Sequence, residues 1–176
     1  VDIVDLQLRN YDVWIDSYGT AEPLTRTELV ADVSGKVMRV SPNIRAGARF
    51  SAGEILVELD DRDFQVEVNI AESTAAEAEV RYLQELAEAE FASQQWNKQP
   101  SGDAAKLLAL RKPQVAAAEA GLKAAKARLA RAQLDLERTK IRAPFDGKVL
   151  TQNIDIGQVV SPSQTIASIY STDVVE

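Results

Sequence analysis

The chain reads QVAAAEAGLKAAKARLARAQLDLERTK at residues 114–140, and this stretch decides the fold. An aliphatic residue recurs every seven positions here and just upstream, and an alanine follows three positions after the middle ones: Leu108, Val115, Leu122, Leu129 and Leu136, with Ala118, Ala125 and Ala132. Apolar residues at two positions of each heptad predict a helix that packs along a coiled-coil seam. Alanine in that seam lets the partner helix approach closely.

The partner helix is predicted earlier in the same chain. An apolar stripe with steps of mostly three or four residues is formed by Val68, Ala71, Ala75, Ala78, Tyr82, Leu86, Ala89 and Trp96. Both arms are rich in strong helix formers. At about 1.5 Å rise per residue, each arm spans on the order of 50 Å. We therefore expect two long helices folded back on each other between residues 63 and 140, with a break at Lys98 to Gly102.

The charges of the two arms differ in sign. Residues 64–97 carry seven Glu and one Arg, whereas residues 103–140 carry nine Lys or Arg and four acidic residues. An acidic helix beside a basic one favours antiparallel pairing within one chain over pairing of identical arms. The alternative interpretation is two solvated faces, in which each exposed ion pair contributes ~0.2–1 kcal/mol.

Pro113 interrupts the second arm. Proline removes one helix hydrogen bond and disfavours helical backbone at the residue before it, here Lys112. The sequence therefore predicts either a kink at this point or a separate short helix from Asp103 to Arg111.

The segments on either side of the helical region repeat one pattern of short apolar runs divided by glycines. The matched pairs are Gly35-Lys36-Val37 with Gly147-Lys148-Val149, Asn43-Ile44 with Asn153-Ile154, Gly47 with Gly157, Gly53 with Ser163, Leu56 with Ile166, and Leu59 with Ile169. Two copies of one strand–turn–strand unit predict a pseudo-symmetric sandwich of two small sheets. The glycines are expected to supply positive φ or close backbone approach.

The junction between helix and second repeat resembles a known family. Residues 136–149, LERTKIRAPFDGKV, resemble the signature of periplasmic adaptor proteins, the membrane fusion or hemolysin-D-like family, and the repeats resemble a split biotinyl-lipoyl domain. The resemblance implies an α+β fold, in which a lipoyl-like β-sandwich is interrupted by an antiparallel helical hairpin. Its expected parts are half-domains at 24–62 and 141–170, the hairpin at 63–140, and leads to an adjoining β-barrel domain at 1–23 and 171–176.

The resemblance also implies a function. Such adaptors link an inner-membrane transporter, here expected to be of the resistance-nodulation-division type, to an outer-membrane channel. They assemble in the periplasm as a ring, commonly a hexamer, and are anchored to the inner membrane through an N-terminal segment. An adaptor for an ATP-driven or facilitator-type exporter, or for a type I secretion system, is the alternative. The chain begins at a valine and is expected to be a fragment or processed form.

Partner contacts are expected at the tip of the hairpin, about residues 95–112. The expected contact residues are Gln94, Trp96, Asn97, Lys98, Gln99, Asp103, Lys106 and Arg111. An exposed aromatic side chain among polar groups is suited to docking. Packing of Trp96 in the seam is the alternative. Resembling adaptors often carry an arginine–leucine pattern that ends in a serine or threonine at their tips, whereas here Arg111 is followed by Lys112-Pro113.

Composition excludes several other functions. The chain has no Cys and no His, which removes thiol nucleophiles, imidazole bases and most zinc or copper sites. A net charge of −7 argues against nucleic acid as a partner. No run of eighteen apolar residues is present. We find no catalytic, cofactor or metal-binding motif, and expect no enzyme.

Two groups of residues that could be taken for binding sites have structural interpretations that we prefer. Asp60, Asp61 and Asp63 are expected at a helix start, with Asp63 as a candidate N-cap, rather than around a cation. Asp61 stands where a lipoyl or biotin carrier domain needs its modified lysine, which disfavours carrier function. Pro144 is expected to close the helix exit, and Asp146-Gly147 to form the turn into a strand.

Overall fold

The computed structural model describes residues 13–18, 23, 25–96 and 103–172. In this part of the chain, short strands precede and follow a helical segment. The elements are β1 (Arg26–Val30), β2 (Gly35–Val40), a 3₁₀ turn (Pro42–Ile44), β3 (Arg49–Phe50), β4 (Ile55–Leu59), α1 (Arg62–Gln95), α2 (Asp103–Ala109), α3 (Lys112–Glu137), β5 (Lys140–Arg142), β6 (Gly147–Gln152), β7 (Val159–Val160) and β8 (Thr165–Ser171).

The strands form two four-stranded antiparallel sheets, with strand orders β1-β8-β6-β3 and β5-β4-β2-β7. Exchanging β1–β4 for β5–β8 converts one order into the other, so the predicted duplication is confirmed. The registers agree as well. Val37 pairs with Leu59, and its sequence match Val149 pairs with Ile169, with an irregularity after each pair.

The two halves are interleaved rather than placed side by side. β3 pairs with β6 of the other half, and β7 pairs with β2. In the turn before β3, the Gly47 N–H donates to the Val149 carbonyl at 2.8 Å, and in the matching turn the Gly157 N–H donates to the Val37 carbonyl at 2.9 Å. Each half therefore completes the hydrogen bonding of the other, and the sandwich folds as one unit.

The core lies between the two sheets and contains large aliphatic side chains from both halves. Its fully buried members include Val37, Ile44, Leu56, Val57, Val149, Val160, Ile166 and Ile169. Phe50 and Phe145 pack at its edge with ring centroids 6.4 Å apart. Burial of each such side chain contributes roughly 1.5–3 kcal/mol, so the sandwich holds most of the apolar stabilisation of the chain.

The glycines serve both of the expected purposes. Gly53 has φ +78°, and its sequence match Ser163 has φ +66°, so the two turns share one left-handed backbone conformation; Gly47 and Gly157 also have positive φ. Gly147 is different, because an added Cβ would lie 2.2 Å from the Tyr170 carbonyl oxygen. At Gly35 an added Cβ would lie 3.3 Å from the Leu59 Cβ.

The helical hairpin leaves the sandwich between β4 and β5. After α3 ends at Glu137, the Arg138 N–H bonds to the Leu134 carbonyl. The buried Thr139 donates both its N–H and its hydroxyl to the Leu136 carbonyl, and accepts the Leu59 N–H at 2.9 Å. These bonds close the last turn and tie it to β4.

Two expectations about helix ends are therefore wrong. Pro144 does not close the helix exit, because β5 and Ala143 lie between it and α3; the Thr139 bonds end the helix instead. Asp63 is not the N-cap of α1, since Asp61 holds that position without a side-chain cap bond and Asp63 lies in the first turn. The acidic first turn still complements the helix dipole.

Within the expected lead at 1–23, Val13 and Ile15 alternate with polar neighbours, a pattern that predicts a strand, and this prediction is wrong. Residues 13–18 form no strand, and the side chains of Val13, Trp14, Ile15 and Tyr18 are exposed. Alternation alone does not make a strand, because the backbone groups need a neighbouring strand to pair with. Residues 1–12, 19–22, 24 and 173–176 lie outside the described residues, so the expected leads into a β-barrel domain stay predictions.

Candidate functional site

The hairpin seam is narrow and is built from small residues near the sandwich. Its buried members are Val68, Ala71 and Ala75 from α1, and Leu122, Ala125 and Ala132 from α3. Leu129 and Leu136 are half-buried and pack against Val68, Ala71 and Ala132. The predicted heptad stripe thus forms the contact between α1 and α3. A seam of alanines holds the arms close but buries little apolar area.

Ion pairs join the acidic arm to the basic arm. Lys126 Nζ lies 3.4 Å from a Glu79 carboxylate oxygen, with both side chains more than half exposed. Farther from the sandwich, an Arg111 NH2 nitrogen lies 2.7 Å from both the Glu85 and Glu88 carboxylates. The expected charge complementarity therefore includes direct contacts between arms, of which the exposed pair contributes ~0.2–1 kcal/mol.

The second arm is divided at Leu110 and Arg111, so α2 is a separate short helix, one of the two outcomes predicted from Pro113. Proline lies at the second position of α3, where its missing N–H is tolerated. Arg111 has φ 53° and ψ 22°, in the left-handed region. Its guanidinium is held by Glu85, which together with Glu88 raises the pKa of Arg111 above its usual value.

One seam assignment near this corner is wrong. Leu108 is 60% exposed, because the corner at Arg111 takes α2 out of the heptad path of α3. Leu86 lines a groove between the arms with Ala89 and Val115, and its neighbour Glu85 is half-buried against Arg111. An ion pair thus lies beside the apolar stripe at this level of the hairpin.

The predicted contact residues are dispersed around the hairpin end, by which we mean residues 91–96 and 103–111. Gln94 and Lys106 are exposed, Trp96 is half-buried, and Arg111 is half-buried in its ion pairs. Asp103 begins α2, but its side chain, like Asn97, Lys98 and Gln99, lies outside the described residues. The exposed apolar side chains of Phe91, Leu107 and Leu108 also belong to this end. Phe91 is not among the predicted contact residues, although the sequence indicates its exposure because it lies off the apolar stripe of α1.

The carboxylates at the start of α1 form local contacts. Asp60 accepts hydrogen bonds from the Arg62 guanidinium at 2.9 and 2.6 Å and from the Arg62 backbone N–H at 3.3 Å, which together lower the pKa of Asp60 to about 2. Within residues 13–18, 25–96 and 103–172, no group of three or more His, Cys, Asp or Glu could hold a metal ion. This cluster therefore organises the helix entry.

The junction residues are likewise engaged in the fold. An Arg142 guanidinium nitrogen donates to the Gly53 carbonyl at 2.9 Å, and the Asp146 carboxylate accepts the Ala52 N–H at 2.7 Å. Both contacts join the second half to the β3–β4 turn of the first. β6 begins at Gly147, directly after Asp146, as the turn prediction requires.

Comparison with known proteins is decisive for the family. A family model described as "RND MFP, barrel-sandwich hybrid domain", where MFP denotes membrane fusion protein, matches residues 25–172. The chain belongs to this membrane fusion protein family. The match covers both halves of the sandwich and the hairpin between them, so the fold predicted from the repeat and the resemblance is confirmed.

The chain also has relatives by sequence and by structure. The multidrug resistance protein MdtA of Pectobacterium carotovorum is 29% identical over 167 residues, covering 92% of this chain and 40% of that protein. MdtA of Shigella boydii is 27% identical over 168 residues, covering 90% and 37%. A MacA–MexA chimera containing the Pseudomonas aeruginosa MexA α-hairpin domain aligns with TM-score 0.67 and 23% identity, covering 86% of this chain and 48% of that one.

This membrane fusion protein chain spans about two fifths of the length of the curated relatives it matches. A membrane fusion protein from Streptococcus pneumoniae R6 aligns with TM-score 0.63 and 19% identity, covering 89% of this chain and 64% of that one, which supports the fold. Among the described residues, no helix has both the length and the apolar content to cross a bilayer.

Proposed function

We propose that this chain is the sandwich and hairpin portion of a periplasmic adaptor subunit of a tripartite efflux pump. The adaptor is non-enzymatic and bridges an inner-membrane transporter to an outer-membrane channel through the hairpin end. The observation that carries the proposal is the hairpin itself: α1 has 34 residues and runs antiparallel to α3 from a small sandwich. At about 1.5 Å per residue it extends on the order of 50 Å.

The composition of the hairpin supports a docking role. The described residues of the seam bury few large side chains, so the hairpin has no large apolar core. Apolar side chains are nevertheless exposed at its far end. Phe91, Leu107 and Leu108 lie there beside exposed polar residues such as Gln94 and Lys106. Exposed aromatic and aliphatic side chains rimmed by polar groups are typical of helical docking surfaces. Arg111 is withdrawn from this surface by its ion pairs.

The family match favours a transporter of the resistance-nodulation-division type, since its description names that class. An adaptor for an ATP-driven or facilitator-type exporter is the second candidate, because the sandwich and the hairpin do not by themselves identify the transporter. Assembly as a ring, commonly a hexamer, location in the periplasm and an N-terminal anchor complete the proposal. Carrier function is disfavoured because Asp61 cannot be acylated as a lysine amine can.

The proposal is tested by site-specific crosslinking in cells. A photoreactive amino acid replaces Lys106 in the full-length protein, expressed with its neighbouring transporter and channel genes. The matched control carries the same group at Lys123, which is exposed in the middle of α3. We expect crosslinks to the channel from position 106 and not from position 123. Equal yields from both positions, or no channel crosslink from position 106, would overturn the assignment of the hairpin end.

A further inference from the structure

One residue forms the joint between α2 and α3. The Arg111 N–H donates to the Leu108 carbonyl at 3.0 Å and so closes α2, while the Arg111 carbonyl accepts the Val115 N–H at 3.0 Å and so opens α3. Its left-handed backbone, φ 53° and ψ 22°, is the conformation that commonly ends helices at a glycine. The direction of α2 relative to α3 is therefore set at this position.

The side chain at this joint is tied to the other arm. Arg111 Nε and an NH2 nitrogen lie 3.2 and 2.7 Å from Glu85 Oε2, and the same NH2 nitrogen lies 2.7 Å from Glu88 Oε2. Glu85 and Glu88 are three residues apart and so share one face of α1. The Arg111 and Glu85 side chains are only 33% and 25% exposed, so this contact is screened less than a surface pair.

Packing does not provide an equivalent restraint on the described side chains of α2. Lys106, Leu107 and Leu108 are all exposed. Leu108 lies seven residues before Val115 and is in heptad phase with α3, yet the corner keeps it out of the seam. The sequence pattern alone would place Leu108 in the seam against α1, whereas the structure leaves its side chain 60% exposed.

We propose that Arg111 is a positioning residue, which holds α2 in one orientation through its ion pairs to Glu85 and Glu88. This extends the proposed function, because α2 carries exposed residues of the hairpin end. A glycine would adopt the left-handed backbone without the steric cost of a Cβ. Arginine adds ion pairs to α1, and these restrict the orientations that α2 can adopt at the joint.

Distance measurement between spin labels tests the positioning directly. The chain has no cysteine, so labels at Gln84→Cys and Lys106→Cys, both exposed positions, report the separation of α1 and α2 without background. We expect a narrow distance distribution in the otherwise unchanged chain, and a broader or shifted one in the Glu85→Gln/Glu88→Gln variant. Arg111→Gly should broaden it as well, since it keeps the backbone but loses both ion pairs. Glu79→Gln, which removes the Lys126 pair lower in the hairpin, is the matched control and should leave the distribution unchanged.

The same variants separate positioning from docking. An unchanged distribution in both Glu85→Gln/Glu88→Gln and Arg111→Gly would overturn the inference, whatever the channel crosslinking shows. If the distribution broadens, the crosslink from position 106 to the channel should fall in the full-length protein carrying Glu85→Gln/Glu88→Gln, and an undiminished yield would overturn the link to docking. Failure of the unchanged protein to crosslink would instead contradict the proposed function, while the label distances still test Arg111.

Discussion

The sandwich and the hairpin are stabilised in different ways. The sandwich buries large aliphatic side chains from both halves, several of them with no exposed surface, and each half completes the hydrogen bonding of the other. Among its described residues, the hairpin buries two large aliphatic side chains, Val68 and Leu122, and otherwise alanines along a single seam. Helical backbone hydrogen bonds are internal to each arm and do not hold the arms together.

This difference separates the functions of the two regions. Because the sandwich does not need the far end of the hairpin for its core, changes at that end can alter docking without unfolding the base. Because the seam is thin, the hairpin depends on each of its few large residues. Elements with few buried contacts open with the lowest free energy, and binding elements are commonly drawn from them.

The largest effect is expected from breaking the seam. Leu122→Asp combined with Leu129→Asp places two carboxylates at buried and half-buried positions. Removing a buried leucine costs about 2–5 kcal/mol, and desolvating a carboxylate adds to that cost. We expect circular dichroism to show loss of most hairpin helix. Hydrogen exchange should still show protected amides in β6 and β8, since the sandwich has its own core.

The control for this experiment places the same charges outside the seam. Leu83→Asp with Leu134→Asp changes two exposed leucines, one on each arm, and should preserve the helix content. Unchanged helix content in the seam variant would show that Leu122 and Leu129 do not hold the arms together. Simultaneous loss of protection in β6 and β8 would show instead that sandwich and hairpin are one cooperative unit.

A second test compares the two halves of the sandwich at one matched position. In Gly147→Ala the new Cβ would lie 2.2 Å from the Tyr170 carbonyl oxygen, so β6 or β8 must move. In Gly35→Ala the nearest atom is the Leu59 Cβ at 3.3 Å, which a small shift accommodates. Overpacking of this kind typically costs about 1–3 kcal/mol, and we place Gly147→Ala at the upper end and Gly35→Ala at the lower end.

Urea denaturation, followed by a spectroscopic signal that reports on the sandwich, measures the unfolding free energy of both variants. Equal loss of unfolding free energy at the two positions would mean that the close approach at Gly147 does not restrict the strand. A larger loss for Gly35→Ala would reverse the comparison between the halves. The expected order thus depends only on which atom each added methyl group meets.

The fold could be predicted from the sequence because its determinants are local and repeated. Gly47 and Gly157 match in the repeat, each four residues after an asparagine, and they make equivalent hydrogen bonds to Val149 and Val37. The seam could be predicted from heptad periodicity, and Leu122 and Ala125 of that repeat are buried in it. A repeat of this kind can be recognised in the sequence because the same backbone geometry favours the same residue type in both copies.

The hairpin end could not be predicted to the same degree. Pro113 indicates a break but leaves open whether the helix kinks or restarts, since either geometry accommodates a residue that has no N–H to donate. The ion pairs of Arg111 with Glu85 and Glu88 join residues more than twenty positions apart and have no sequence period. The heptad pattern therefore predicts Leu108 in the seam, although the corner exposes it. Thr139 was missed for a related reason, because its two bonds to Leu136 depend on the exit geometry.

The smallest expected effect comes from exchanging the residues of two equivalent turns. Gly53 and Ser163 share a left-handed backbone and donate equivalent hydrogen bonds, to the Ala143 carbonyl at 2.8 Å and the Ala31 carbonyl at 2.9 Å. A side chain in this conformation costs about 1–2 kcal/mol, while replacing glycine recovers about 0.4–1 kcal/mol of unfolded-chain entropy.

Because these two contributions oppose each other, Gly53→Ser should destabilise the sandwich by about 0.5 kcal/mol and Ser163→Gly should stabilise it by a similar amount. The doubly exchanged chain should then unfold close to the unchanged chain, within about 1–2 °C by thermal denaturation. No atom lies within 4 Å of a Cβ added at Gly53, so steric clash does not obscure the result. Destabilisation by both single changes would show that Ser163 contributes through its hydroxyl, and that the two turns are equivalent in backbone only.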